Sequence, residues 1–137
     1  MNNIFLHFTI KGDDLDTKEL SKSIPINAEV FVKGERIVNK FIRNCDHKLQ
    51  KTNRWVYSIE SMKNPNINVL IKTMHKDLSP YVKLINQYTN RYASLLDIVV
   101  YTNSEKPFSK FNVTLSKTSI KIIHSLNTRY SLTVWDA

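Results

Sequence analysis

Segment 4–10 carries an apolar side chain at every second position, and this strict period of two constrains the fold more than any other feature of the chain. The pattern is typical of a β-strand with one face on a core and the other toward solvent. A short connection leads into an amphipathic run that ends before Pro25, since the residue before a proline avoids helical backbone angles. The sequence therefore predicts a strand over Asn3–Lys11 and a helix over Thr17–Ser23.

The connection between this strand and helix is acidic, with the sequence Gly12-Asp13-Asp14-Leu15-Asp16. Asp16 is placed to cap the helix, because its carboxylate can accept a free N–H of the first turn. Glu19 follows three residues later and completes a predicted capping box, and Leu15 can pack on Leu20 as a hydrophobic staple. One acid of the connection therefore has a predicted structural role.

Asp13 and Asp14 are the remaining acids of the connection, and they are candidate contacts for a ligand or a partner. Adjacent side chains on an extended chain point apart, so they are not expected to act together as a catalytic pair. A calcium loop needs alternating acids and a distal bidentate Glu, and no such pattern follows, so no metal site is predicted. The structural alternative is that both acids favour the helix N-terminus and shape an Asx-type turn.

Further strands and helices alternate along the rest of the chain. A proline interrupts the long helical stretch after Pro65, and we expect Ser79 to cap its second part with Pro80 at the first helical position. The order of elements predicts an α+β fold: a two-layer sandwich with a mainly antiparallel sheet, helices on one face, and a ferredoxin-like βαββαβ order plus a C-terminal αβ unit. One domain over 1–137 is expected. The predicted later elements are extended pieces over 29–33, 36–43, 54–61, 95–101, 111–114 and 130–135, a turn at 34–35, a loop over 44–53, and a helix over 116–124.

The strand–helix connection has a weak second copy near the C-terminus. There Ser116 is the expected N-cap, and Leu115 and Ile120 are placed to form the staple. Gly12-Asp13-Asp14 is then a three-residue insertion that the second copy lacks.

Charge and composition narrow the function classes. The net charge is +8, which suits nucleic acid, anionic lipid or an acidic protein as partner. Lys dominates Arg, however, and specific phosphate readers favour the bidentate fork of Arg. A single cysteine excludes an internal disulfide and favours a reducing, cytoplasmic location. No apolar run approaches the roughly 20 residues that span a bilayer, so no membrane partner is expected, and no motif implies a cofactor.

Several short motifs follow one another along the chain. They are Phe8-x-Ile10-x-Gly12-Asp13-Asp14-Leu15-Asp16, Pro25, Lys33-Gly34-Glu35, Trp55 and Pro80-Tyr81. In their order and spacing they resemble the bacterial family catalogued as domain of unknown function 4279, over essentially the whole chain. Thr17 stands where that family commonly has a proline, and the inferred cap at Asp16 does not need the proline. The resemblance implies a bacterial or phage cytoplasmic protein and implies no reaction.

Two further residues are candidate contacts. Arg36 follows the glycine turn of Lys33-Gly34-Glu35, where charges beside a turn either bind an anion or are simply solvated. Trp55 either anchors an interface or belongs to the core, since it shares a strand face with Tyr57 and Ile59. The histidines and the cysteine show no metal-ligand spacing or catalytic signature.

The absence of a recognisable active site favours a non-catalytic binding protein. Its sharpest form is an immunity or inhibitor protein that occludes another protein, such as an acidic toxin or a host factor, with Tyr88, Tyr92 and Tyr101 as anchors where exposed. The alternative is a small-ligand protein or enzyme that uses the Gly12-Asp13-Asp14 loop beside a cleft containing Trp55 or Arg36. A third hypothesis is nucleic-acid binding through the basic surface, which predicts salt-sensitive affinity.

Overall fold

The computed structural model of the chain describes residues 3–35, 50–61, 66–102 and 114–136. Within these ranges the chain forms an α+β sandwich, as predicted. The predicted strand over 36–43 lies outside the described residues, as do 44–49 of the predicted loop and 111–113. The elements in chain order are β1 (Asn3–Gly12), α1 (Thr17–Ser23), β2 (Ala28–Phe31), β3 (Asn53–Ser61), α2 (Ile67–Leu78), α3 (Val82–Arg91), β4 (Ala93–Thr102), α4 (Lys117–Ser125) and β5 (Arg129–Asp136).

The five strands form one sheet in the order β2-β3-β1-β4-β5. β1 lies at the centre and is antiparallel to both β3 and β4, and β2 is antiparallel to β3. These four strands have the predicted ferredoxin-like arrangement. α4 then returns the chain so that β5 pairs in parallel with β4, as the predicted C-terminal αβ unit requires.

The two faces of the sheet have different environments. The even-numbered side chains of β1 are fully buried against the helices and form the centre of the core. The odd-numbered side chains of β1 are half-buried or exposed on the opposite side. We call this opposite side, which none of the described helices covers, the open face. The core side chains from β1 are Ile4, Leu6, Phe8 and Ile10, and those from the helices include Leu20, Ile71, Met74, Ile85 and Ile123.

The junction between α2 and α3 differs from the prediction in one detail. A single 3-10 turn, Ser79–Tyr81, joins the helices, and Pro80 lies in its first positions. Ser79 has helical backbone angles and no side-chain cap forms at this turn, so the predicted Ser79 cap is wrong. A proline is tolerated here because the first N–H groups of a helical turn have no partner within it.

None of the described helices is long and apolar enough to cross a membrane.

Candidate functional site

The acidic connection forms a tight turn that starts α1. Asp16 is at the N-cap, and its Oδ1 accepts a hydrogen bond from the Glu19 N–H at 3.0 Å. The Glu19 carboxylate accepts a hydrogen bond from the Ser23 hydroxyl at 3.3 Å instead of reaching back to Asp16. The structure thus contains the Asp16 half of the predicted capping box. Leu15 and Leu20 are both buried, where the staple places them.

Asp13 and Asp14 point to different cations at the protein surface. The Asp13 carboxylate lies 3.7 Å from Lys33 Nζ, and the Asp14 carboxylate lies 3.5 Å from Arg91 Nη2. The two acidic side chains are 66% and 74% exposed, and pairs this exposed contribute only about 0–1 kcal/mol to stability. Among the described residues, no group of three His, Cys, Asp or Glu side chains is arranged to hold a metal ion.

The Asn53 side chain links this turn by hydrogen bonds to the turn that follows β2. Its Nδ2 donates to the carbonyl oxygens of Asp13 at 3.2 Å and Leu15 at 3.1 Å. Its Oδ1 accepts the Lys33 N–H at 2.7 Å. One amide therefore satisfies backbone groups from two separate turns and fixes their spacing.

Gly12 is explained by the packing of Tyr92. A Cβ at residue 12 would lie 2.5 Å from Cδ1 of the Tyr92 ring, so only glycine permits this approach. The Tyr92 hydroxyl donates to the Asp14 carbonyl oxygen at 3.3 Å. The ring also stacks on Tyr88 with centroids 6.1 Å apart. Tyr92 is half-buried in these contacts. The three-residue insertion Gly12-Asp13-Asp14 therefore forms a packing site for the Tyr92 ring.

Among the predicted contact residues that the structure describes, Trp55 does not join Asp13 and Asp14. Trp55 is 0% exposed on the helix side of β3, and its ring meets Phe8 edge-on with centroids 6.4 Å apart. Trp55 is therefore a core residue in this fold and presents no surface to a partner. Its indole N–H is buried, and none of the described residues accepts a hydrogen bond from it. Arg36 lies outside the described residues.

A cleft of about 770 Å³ lies on the open face, and no residue of the acidic turn lines it. Its volume falls in the range of about 300–1,000 Å³ that is usual for ligand sites. Neither Asp13, Asp14 nor Trp55 lines it. The described lining residues are His7, Thr9, Lys11, Glu29, Phe31, Gln50, Lys51, Thr52, Arg54, Val56, Ser58, Ser94, Leu95 and Asp97.

A row of polar side chains crosses the open face on four neighbouring strands. Ser58 and Asp97 lie opposite His7 in the register of β3, β1 and β4, and Ser131 continues the row on β5. His7 Nδ1 and Ser58 Oγ are 2.8 Å apart, and the Ser131 hydroxyl donates to Asp97 at 2.8 Å. A Ser-His-Asp triad needs the acid to orient the histidine, whereas here Asp97 accepts from Ser131. Among the described residues the row therefore consists of two separate hydrogen-bonded pairs, His7 with Ser58 and Ser131 with Asp97.

The other end of the cleft is aromatic and cationic. The Arg54 guanidinium lies 4.7 Å from the centroid of the Phe31 ring, and it donates to Gln50 Oε1 at 3.0 Å. The buried Gln50 is held in turn by backbone hydrogen bonds with Gly34 and Glu35. This wall is preorganised, because its side chains are fixed before a ligand arrives.

Charge is distributed unevenly between the two layers. The four described helices carry eight Lys or Arg residues and two acids, all of them exposed. The outward side chains of the strands instead balance three cations, Lys11, Arg54 and Arg129, against three acids, Glu29, Glu60 and Asp97. The positive field of the protein therefore comes mainly from the helix layer within the described residues.

Comparison with known protein families gives a match to the family described as Domain of unknown function (DUF4279) over residues 2–137. The chain belongs to this family. No curated protein and no solved structure matches it.

Two of the motifs that carry the DUF4279 resemblance meet in space. Gly12-Asp13-Asp14-Leu15-Asp16 and Lys33-Gly34-Glu35 are joined by the Asn53 amide and by the ion pair between Lys33 and Asp13. The second motif also holds Gln50, at the wall of the cleft. In this DUF4279 protein the acidic turn therefore supports the frame around the cleft and contributes no side chain to its lining.

Proposed function

We propose that this protein is a non-catalytic binding protein that recognises another protein through the open face. Its sharpest form is a cytoplasmic immunity or inhibitor protein that occludes the surface of its partner. The observation that carries the proposal is the cleft on the open face, with its preorganised aromatic and cationic wall.

The composition of the open face suits a protein partner. Aromatic residues and Arg are enriched at protein interfaces, and Phe5, Phe31, Tyr101 and Arg54 all lie on this face. Three acids balance three cations among its strand residues. A protein gains affinity for nucleic acid when its Lys and Arg side chains displace counterions from the phosphate backbone into solution. Balanced charge on the open face therefore disfavours nucleic acid as its partner.

The size of the open face also suits a protein partner. Five strands spaced about 4.8 Å apart, with the longest of 10 residues, give a surface of roughly 19 by 33 Å, or about 600 Å² before side-chain relief is added. One side of a standard protein interface buries about 800 Å². The open face, with some contact from residues at its edges, is therefore large enough for one side of a standard protein interface.

The positive helix layer supports an acidic partner through long-range attraction. Charges that do not touch a partner still raise its association rate, and salt screens this effect. We expect higher salt to slow association while changing dissociation little, because dissociation depends on the contacts of the open face.

The test pairs two substitutions of the same chemistry. Leu95→Glu adds a charge in the cleft, and Val69→Glu adds one to a 60% exposed position on α2. Proteins captured from an extract of the native host are identified by mass spectrometry, and the affinity of each variant for the captured partner is then measured. We expect Leu95→Glu to lose at least tenfold in affinity and Val69→Glu to change it by about twofold or less. Equal capture by both variants, or no enriched protein at all, contradicts the proposal.

A small ligand in the same cleft is the second candidate function. It is supported by the cleft volume and by the paired polar groups of Ser58 with His7 and Asp97 with Ser131. This moves the ligand hypothesis from the Gly12-Asp13-Asp14 loop to the open face. A thermal-shift screen of polar metabolites separates the two functions, because a small ligand raises the melting temperature of the isolated protein and a protein partner is absent from that assay.

A further inference from the structure

The edge strand β5 has three apolar side chains that are unusually exposed to solvent. On the helix side of this strand, Tyr130 is 50% exposed, Leu132 is 42% exposed and Val134 is 40% exposed. Their register partners on β4 are the fully buried Leu96, Ile98 and Val100. The helix layer thus covers the sheet up to β4 and leaves an apolar stripe of three side chains on β5.

β5 also lacks the usual protection of an edge strand. It has 8 residues, Arg129–Asp136, with no Lys, Pro or Gly among them. In the part of the chain that the structure describes, β5 pairs with β4 and forms one edge of the five-stranded sheet. Prolines and charges within a strand are the usual means of blocking such an edge, and the charges of β5 lie only at its two ends, Arg129 and Asp136.

A groove beside the stripe adds a second apolar feature. It has a volume of about 380 Å³ and is lined by Ile120, Ile123, His124, Thr128, Arg129 and Tyr130, between α4 and β5. Ile120 is 38% exposed at this groove. An incoming strand that extended the sheet would lie about 4.8 Å beyond β5, with its helix-side side chains next to the exposed stripe.

We propose that the occupant is a second copy of this chain, paired antiparallel to β5 about a two-fold axis. Residues that face each other in such a continuous sheet must lie on the same side of it. A register centred on Leu132 satisfies this condition, because it places Leu132 opposite Leu132 of the second copy and Tyr130 opposite Val134. The apolar stripe is therefore self-complementary, as a two-fold interface requires.

The size of the contact predicts a dimer of low affinity. A strand of 8 residues is about 26 Å long, and because the helix layer stops short of this edge, only the sheet with its side chains, roughly 10 Å thick, meets the second copy, which gives about 260 Å² per copy. The total of about 500 Å² is below the roughly 1,000 Å² of a stable specific interface, so the dimer should form only at high micromolar concentration. Because the chain carries a net charge of +8, two copies repel, and salt should strengthen this dimer.

The test measures molar mass by sedimentation and light scattering from low to high micromolar concentration. We expect the wild-type protein to reach the mass of two chains, at lower concentration in high salt. Leu132→Arg puts like charges opposite each other and should remain a monomer. Val69→Arg, at a more exposed apolar position on α2, should dimerise as the wild type does. Circular dichroism establishes that both variants are folded.

Cysteine cross-linking tests the register without relying on a disrupted interface. In a Cys45→Ser background, Leu132→Cys places two thiols directly opposite each other, at a separation that a disulfide can span. We expect oxidation to cross-link this variant and to leave Val69→Cys uncross-linked. A wild-type monomer at every concentration overturns the proposal. So does a dimer that Leu132→Arg leaves intact and that Leu132→Cys fails to cross-link.

Discussion

The two faces of the sheet differ, although the same strands contribute side chains to both. Along β1, Leu6 packs into the core while its neighbour His7 bonds to Ser58 on the open face. On the helix side of β1 the side chains are apolar and fully buried. On the open face of the same strand they are polar, charged or aromatic, and they are half-buried or exposed. Within β1, therefore, the burial that stabilises the fold lies on one face, and the proposed recognition uses the other.

The strongest test of this comparison uses two phenylalanines of β1. Phe8→Ala removes a fully buried ring from the helix side and should cost about 3–5 kcal/mol in the free energy of unfolding. Phe5→Ala removes a half-buried ring from the open face, where it meets Tyr101 edge-on, and should cost about 1 kcal/mol. Denaturant unfolding measures both values. Equal losses would show that the open face is as important for stability as the core.

The next largest effect is expected where the acidic turn meets the helix layer. Gly12→Ala forces the Tyr92 ring to move, and overpacking of this kind costs about 1–3 kcal/mol. In a Tyr92→Ala background the ring is absent, so Gly12→Ala should cost little further free energy of unfolding. The effects of the two substitutions should therefore be strongly non-additive.

Gly34→Ala is the matched control for this cycle. Gly34 has a φ of +89°, and no atom of the described residues lies within 4 Å of a Cβ built there, so its substitution should cost mainly backbone strain. Its effect should be the same with and without Tyr92. If the effects of Gly12→Ala and Tyr92→Ala on the free energy of unfolding also add, the close approach of the Tyr92 ring does not explain why residue 12 is glycine.

Tyr57 provides a test that depends on pH. Its hydroxyl donates to Asp77 at 2.5 Å, and burial, together with this acidic partner, raises the pKa of Tyr57 far above its usual value near 10. A raised pKa means that the folded state keeps a proton that the unfolded chain releases. The stabilisation is thus complete below about pH 10 and is lost as the pH rises further.

Tyr57→Phe should therefore cost about 1–2 kcal/mol at neutral pH, since it removes a hydrogen bond to a carboxylate. Above pH 10 the wild type should lose stability faster than the variant, so that their difference shrinks. Unfolding curves collected from pH 7 to pH 11 measure this difference. A constant difference across that range would contradict a buried, neutral Tyr57.

Sequence reasoning succeeded where the determining interactions are local. The period of β1 and the cap three residues before Glu19 depend on neighbours along the chain, so their patterns are visible in the sequence. The open-face row was missed because its hydrogen bonds join residues 51 and 34 positions apart. Which polar side chains meet there is set by the register of the whole sheet. Asn53 was missed for the same reason, since its amide bonds a residue 40 positions away.

The smallest expected effects separate the three acids of the turn. Asp16→Ala removes the N-cap of α1 and should cost about 1 kcal/mol. Asp13→Asn and Asp14→Asn each remove only an exposed ion pair and should cost less than about 0.5 kcal/mol, with salt erasing the difference. Neither carboxylate lines the cleft, so partner affinity should also be retained in both variants. Loss of affinity without loss of stability in Asp13→Asn or Asp14→Asn would contradict the proposed recognition by the open face and would favour the acidic turn instead.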